Sequence, residues 1–99
     1  MIVFTRTASI APGQNLGAMV FAREVAVHIK KTTGVQLEVM VPVGGNPSRV
    51  AWTTRHENLG VFEQFQSTVS ADMAYLQMVA GGADNFIAGS LEDSIWKLV

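Results

Sequence analysis

The sequence predicts an α+β domain in which a strand, a helix, a two-stranded hairpin, a second helix and a last strand follow one another. Two helices then cover one face of a four-stranded antiparallel sheet. Three observations carry that prediction. Apolar residues alternate strictly from Val35 to Val43, apolar residues recur at three- and four-residue spacing in two longer stretches, and glycine and proline punctuate the chain between them. A chain of 99 residues has room for one hydrophobic core, so residues 1–99 are expected to form a single domain.

The first strand is read over residues 2–10, rich in Ile, Val, Phe and Thr, and Pro12-Gly13 closes it. A helix follows from about Gln14 to Thr33, with Ala18, Phe21, Ala22, Val25 and Ile29 forming one apolar stripe and Gly34 stopping it. Leu16, Val20 and Val27 fall roughly opposite that stripe, which suggests a second contact for this helix. Across 35–43, Val35, Leu37, Val39, Val41 and Val43 alternate with polar or bulky residues and predict a strand with one dry face. Gly44-Gly45-Asn46-Pro47 turns the chain. Arg49 to His56 then alternates again, with Val50, Trp52, Thr54 and His56 on one side and Arg49, Ala51, Thr53 and Arg55 on the other.

Asn58 is a helix N-cap, and behind it Phe62, Phe65, Val69, Met73, Leu76 and Ala80 predict one apolar face running to Gly81-Gly82. Ser70 or Asp72 offers a break into two shorter helices. Residues 90–99, with Ile95, Trp96, Leu98 and Val99, read as the fourth strand. The complete order is that of a ferredoxin-like β-α-β-β-α-β fold, whose second sheet face lacks a helical cover. Val3, the valines of the second strand and the residues of the third distribute apolar groups over both sheet faces. A homodimer with two sheets stacked face to face is therefore expected.

Composition narrows the function. Hydrophobic residues are 48% and charged residues 15%, enough to fill a core but few with which to coat a surface, which again points to self-association. Seven basic and eight acidic residues give a net charge of −1 and no basic footprint, so nucleic acid is not an expected partner. Without cysteine there is no disulfide, thiolate nucleophile or zinc–sulfur site. No apolar run approaches the roughly 18 residues of a membrane span, and the chain opens directly into a strand without a basic leader. The expectation is a cytoplasmic, unprocessed protein with no membrane partner.

Arg49-Val-Ala-Trp52, then Arg55-His-Glu-Asn-Leu59, then Val61-Phe-Glu-Gln-Phe65 resemble the third strand and second helix of the dimeric α/β-barrel superfamily, which includes antibiotic-biosynthesis monooxygenase and NIPSNAP-like domains. The resemblance in element order spans essentially the whole chain. It implies sheets paired into a barrel and a small, flat, apolar ligand held between sheet and helices. For the monooxygenase branch it also implies oxygen activation on an aromatic substrate without a cofactor, using tryptophan, asparagine and arginine. Trp52 is the one residue that matches by position. Val61 to Phe65 holds no histidine, and the first strand holds Arg6 but no asparagine.

The residues themselves nominate a site. Trp52 and His56 share a strand face, where an indole can stack on a ligand and an imidazole can move a proton near neutral pH, so both are catalytic candidates. The plainer alternative is a core indole with a histidine at the strand's end. Arg6 is a lone charge in an apolar strand and can fork onto an anionic group, as Arg49 and Arg55 also can, unless they serve in ion pairs. Tyr75, the only tyrosine, adds a hydroxyl to the proposed ligand-binding set of Arg6, Trp52, His56 and Tyr75. His28 reads as a boundary residue of its helix. Two histidines without a carboxylate at ligand spacing predict no metal site, and no cofactor is expected. The Gly44-Gly45-Asn46 loop reads as a hairpin turn rather than an anion cradle.

Three functions stay open. The first is a homodimeric barrel of undefined role that binds a small apolar or aromatic molecule. The second is a cofactor-independent monooxygenase or related small enzyme acting on a polyketide- or quinone-like substrate. The third is a non-catalytic interaction module, which requires a filled interior with no cavity.

Overall fold

In the computed structural model, which describes residues 1–99, the chain runs β1 (Ile2–Ser9), α1 (Asn15–Thr33), β2 (Glu38–Met40), β3 (Arg49–His56), α2 (Leu59–Ser70), α3 (Met73–Gly82) and β4 (Glu92–Lys97). A short 3-10 turn at Ala83–Asn85 precedes the last strand. The sheet order is β2-β3-β1-β4 with every neighbouring pair antiparallel. This is the expected ferredoxin-like arrangement, with α2 and α3 divided at the break that Ser70 or Asp72 offers in the sequence.

Register decides which side chains share a face. Arg6 lies opposite Trp52 on β3 and opposite Asp93 on β4, and Val39 lies beside Trp52 from β2, so all four sit on one side of the sheet. On that side Ile2, Ala8, Ile10, Val50, Trp52, Thr54 and His56 are buried against the helices. From α1 come Ala18, Ala22, Val25 and Ile29, four of the five residues of the predicted stripe, with Phe21 half-buried beside them. Gly34 ends α1 at φ 77°, a left-handed cap that an L side chain adopts only with strain, and its N–H closes on Lys30 O. The outer residues Leu16, Val20 and Val27 are exposed.

Three expectations need correction. The second strand is shorter than predicted: its last pairing is Met40 with Ala51, and although Leu37 is buried, Val41 and Val43 lie in the open. Pro42 has no N–H to give a ladder, and the chain leaves the sheet there into Gly44-Gly45. The valines of β2 therefore do not coat the outer sheet face. That face carries Thr5, Thr7, Ser9 and Thr53, with Val3, Met40, Ala51 and Trp96 as its apolar groups. Thr5 and Thr53 share a hydroxyl–hydroxyl hydrogen bond of 3.2 Å across it.

The third correction concerns the second helix. Asn58 caps α2 by accepting the Val61 N–H at 2.9 Å, as read from the sequence, and Phe62, Phe65 and Val69 pack inward. The helix then ends at Ser70, and Asp72 starts α3, its Oδ1 accepting the N–H groups of Ala74 and Tyr75. This restart changes the inward face. Met73 and Leu76, predicted to continue the stripe, are exposed, whereas Tyr75 and Met78 pack on the core. Gly82 at the end of α3 is needed for close approach, since a Cβ there would lie 2.3 Å from the Phe21 ring.

Candidate functional site

Between the sheet and the helices lies a cavity of about 480 Å³, lined by 24 residues of which 16 are hydrophobic. Its floor comes from β1 and β3 through Phe4, Arg6, Trp52 and Thr54. Its roof comes from Phe65, Val69 and Tyr75 of α2 and α3, and one side is closed by the segment Phe86–Leu91. The volume falls in the range of roughly 300–1,000 Å³ usual for small-molecule sites, and the lining suits an apolar guest.

Trp52 is 7% exposed. Its ring meets Phe86 edge-on, with centroids 5.7 Å apart, and Phe86 in turn meets Phe21 at 5.6 Å. The indole Nε1–H is buried and has no hydrogen-bond partner. An indole nitrogen is a donor only, and leaving it unpaired in an apolar setting costs about 1–3 kcal/mol. Phe86 escaped the sequence reading because it lies outside any periodic run. It is held by backbone bonds from Ile87 N–H to Ser9 O and from Ala11 N–H to Asn85 O, each 2.9 Å, which lace the chain after α3 to the end of β1.

Arg6 enters the same cavity. Its Nε and Nη2 donate to the two carboxylate oxygens of Asp93 at 2.7 and 2.8 Å, and its guanidinium carbon lies 5.7 Å from the Phe4 ring centroid. The hydrogen bond to Asp93 raises the Arg6 pKa above its usual value, against the opposing pull of burial. Tyr75 adds a smaller contribution in the same sense. Arg6, Trp52 and Tyr75 thus all line the one cavity.

His56 is not among the lining residues. It shares the Trp52 face of β3, but it is 4% exposed and packed against Phe62 and Phe65, with centroids 5.3 and 4.8 Å away. Its Nε2 and Thr54 Oγ1 form a 2.8 Å hydrogen bond, and desolvation lowers its pKa. His56 lies two residues, roughly 6.7 Å along the strand, beyond Thr54, the last β3 residue in the lining, and there the imidazole enters the packing beneath α2.

The remaining candidates lie elsewhere. Arg49 donates to Thr7 Oγ1 at 2.8 Å on the outer sheet face, and Arg55 stands 3.9 Å from Glu38. In the hairpin loop, Asn46 Oδ1 accepts the Ser48 N–H, a turn bond. His28 does meet a carboxylate, one that sequence spacing could not reveal: its Nε2 donates to Asp72 Oδ2 at 2.7 Å, from a residue 44 positions away. No three of the His, Asp and Glu side chains converge as a metal-ligand group.

No protein-family model matches the chain, and no curated protein matches it. Solved structures do. An uncharacterised NIPSNAP-domain protein from Burkholderia xenovorans superposes with a TM-score of 0.83 at 13% identity, covering 100% of this chain and 95% of its own. A NIPSNAP-family protein from Agrobacterium tumefaciens gives 0.81 at 18% identity over 99% and 85%. An antibiotic-biosynthesis-monooxygenase-like protein from Deinococcus radiodurans gives 0.73 at 15% identity over 100% and 93%. The chain therefore has the ferredoxin-like α+β fold shared by NIPSNAP proteins and structures of the antibiotic-biosynthesis-monooxygenase type.

Proposed function

We propose that this protein binds a small aromatic molecule bearing an acceptor oxygen in the cavity between sheet and helices, and that it does so as a homodimer. The observation that carries the ligand reading is the cavity itself, about 480 Å³ with 16 hydrophobic residues among its 24, and Trp52 in its lining carries a buried Nε1–H that has no partner. A small rotation of the indole toward the cavity would bring that donor to a carbonyl or hydroxyl oxygen of the guest, while the rings of Phe4, Phe65 and Phe86 take up the apolar body. The interaction-module reading needs a filled interior, and a cavity of about 480 Å³ speaks against it.

Surface area supports the homodimer. A 10.7 kDa chain exposes 6409 Å², whereas a compact monomer of that mass exposes about 5,500 Å². The difference of about 900 Å² resembles one partner's share of a standard interface, about 800 Å². The helices cover one sheet face only, and β4 is exposed along its length, with Ile95 and Trp96 both more than half exposed.

Calorimetric titration with 2-naphthol tests the ligand reading. Binding in the micromolar range is expected. Trp52→Phe, which keeps an aromatic ring and removes the donor, should weaken it about five- to tenfold. No heat of binding with 2-naphthol, or equal affinity in the variant, would count against it.

The same N–H favours a second reading, a cofactor-independent monooxygenase acting on a quinol. A donor fixed in a dry site stabilises negative charge that develops on a substrate oxygen. Oxygen consumption with a naphthohydroquinone, lost in Trp52→Phe, is the expected result. Turnover unchanged in that variant would remove Trp52 from the chemistry.

A further inference from the structure

The cavity contains one strong cation, and that cation is already engaged. Arg6 and Asp93 are direct cross-strand neighbours on β1 and β4. The Nε–Nη2 edge of the guanidinium, one of its two edges that can fork onto a carboxylate, is taken by both oxygens of Asp93 at 2.7 and 2.8 Å. Phe4 and Tyr75 flank it further. The other charged residue in the lining is acidic, Asp84. An anionic guest would therefore meet an arginine whose charge Asp93 already balances, apolar walls and a second carboxylate, so attraction to Arg6 would be offset by repulsion from Asp93 and Asp84. A neutral guest loses little on entry, and the Nη1 hydrogens, which make no bond to Asp93, remain able to donate to an uncharged oxygen.

We infer that Asp93 is a specificity-determining residue that sets the charge class of the ligand: by occupying Arg6 it makes the cavity select neutral aromatic molecules over anionic ones of the same shape. This rests on the ligand-binding reading above and deepens it. Asp93 acts through Arg6, as a positioning residue whose removal converts the arginine into a carboxylate clamp.

The experiment compares 2-naphthol with 2-naphthoate, two bicyclic probes of nearly equal shape that are neutral and anionic at pH 7. Wild-type protein should bind naphthol about tenfold more tightly than naphthoate. Asp93→Asn, which keeps side-chain volume and removes the charge, should strengthen naphthoate binding about tenfold while moving naphthol little. The double variant Arg6→Met with Asp93→Asn should lose that gain. Equal or reversed affinities in the wild type would overturn the proposal without any variant having to fold, as would a folded Asp93→Asn protein with an unchanged ratio. If neither probe bound the wild type, the ligand-binding reading itself would fail and take this one with it. Binding of both probes with an unaltered ratio would sink the role of Asp93 alone.

Discussion

Asp72 holds two elements at once: one carboxylate oxygen accepts the His28 Nε2–H of α1 at 2.7 Å, and the other caps α3 by accepting the backbone N–H groups of Ala74 and Tyr75. The bond from His28 is the main cause that holds the Asp72 carboxyl below its ordinary pKa. Through this residue the position of Tyr75 in the cavity roof depends on the contact between α1 and α3.

The two jobs can be separated by substitution. Asp72→Asn keeps a capping oxygen and loses the charge, whereas Asp72→Ala loses both. Thermal melting should rank wild type above Asp72→Asn above Asp72→Ala, with the alanine variant several degrees below wild type. His28→Ala should fall between wild type and Asp72→Ala, because it leaves the cap in place. An alanine variant that melts with wild type would show that neither contact contributes.

Stability should rise with pH across two separate windows. His56 has its pKa lowered from 6.5 by desolvation, so below 6.5 the unfolded chain takes up a proton that the folded chain resists. Stability is therefore full above that value and declines as pH falls below it. Asp72, with its pKa lowered from 3.8, contributes stability that is present above 3.8 and lost as pH drops through its folded value. Denaturant midpoints measured between pH 4.5 and 7.5 should fall toward acid in the wild type and flatten in His56→Gln. A slope that persists in that variant would assign the dependence to other groups.

Gly82 should not tolerate a side chain. A Cβ would sit 2.3 Å from two atoms of the Phe21 ring, and Phe21 cannot yield freely because Phe86 lies against it. Gly82→Ala should cost about 1–3 kcal/mol in chemical denaturation, the range for forcing an extra methyl into packed surroundings. It should also perturb Trp52 fluorescence, since Phe86 bridges Phe21 and Trp52. Wild-type stability in this variant would mean that α1 and α3 can separate at little cost.

The homodimer can be tested at the outer sheet face. Thr5 sits between Thr53 and Ser94 in the sheet, on the face away from the helices, where a long charged side chain would block a second sheet from stacking. Thr5→Arg should shift sedimentation from about twice the chain mass to one, with little change in circular dichroism. A wild-type chain that sediments as a monomer at micromolar concentration would end the homodimer reading. A Thr5→Arg dimer would move its interface elsewhere.

Much of this architecture was legible from local pattern. The period-two run from Arg49 to His56 assigned Val50, Trp52, Thr54 and His56 to one face, and all four are buried. The stripe on α1 and the caps at Gly34 and Asn58 were equally readable, because periodicity and capping depend on residues a few positions apart. Where a local feature overrode the pattern, the reading failed. Pro42 ended the ladder of β2, and the cap at Asp72 turned α3 so that Tyr75 rather than Leu76 faces the core.

The composition of the site came from tertiary structure. Arg6 and Asp93 are 87 positions apart, and His28 and Asp72 are 44 apart. Neither pair leaves a mark on local periodicity. They meet because β4 pairs with β1 in one particular register and because α3 restarts at one particular angle. The same cause left His56 outside the cavity it was expected to line: a shared strand face puts two residues on one side of a sheet, but the elements packed above decide what each of them touches. Hydrophobic spacing determined which face of each element turns inward, since burial of apolar area is local in its demand. Which polar groups became partners depended on the long-range register and on the angle between elements, and these follow from the packing of the whole chain.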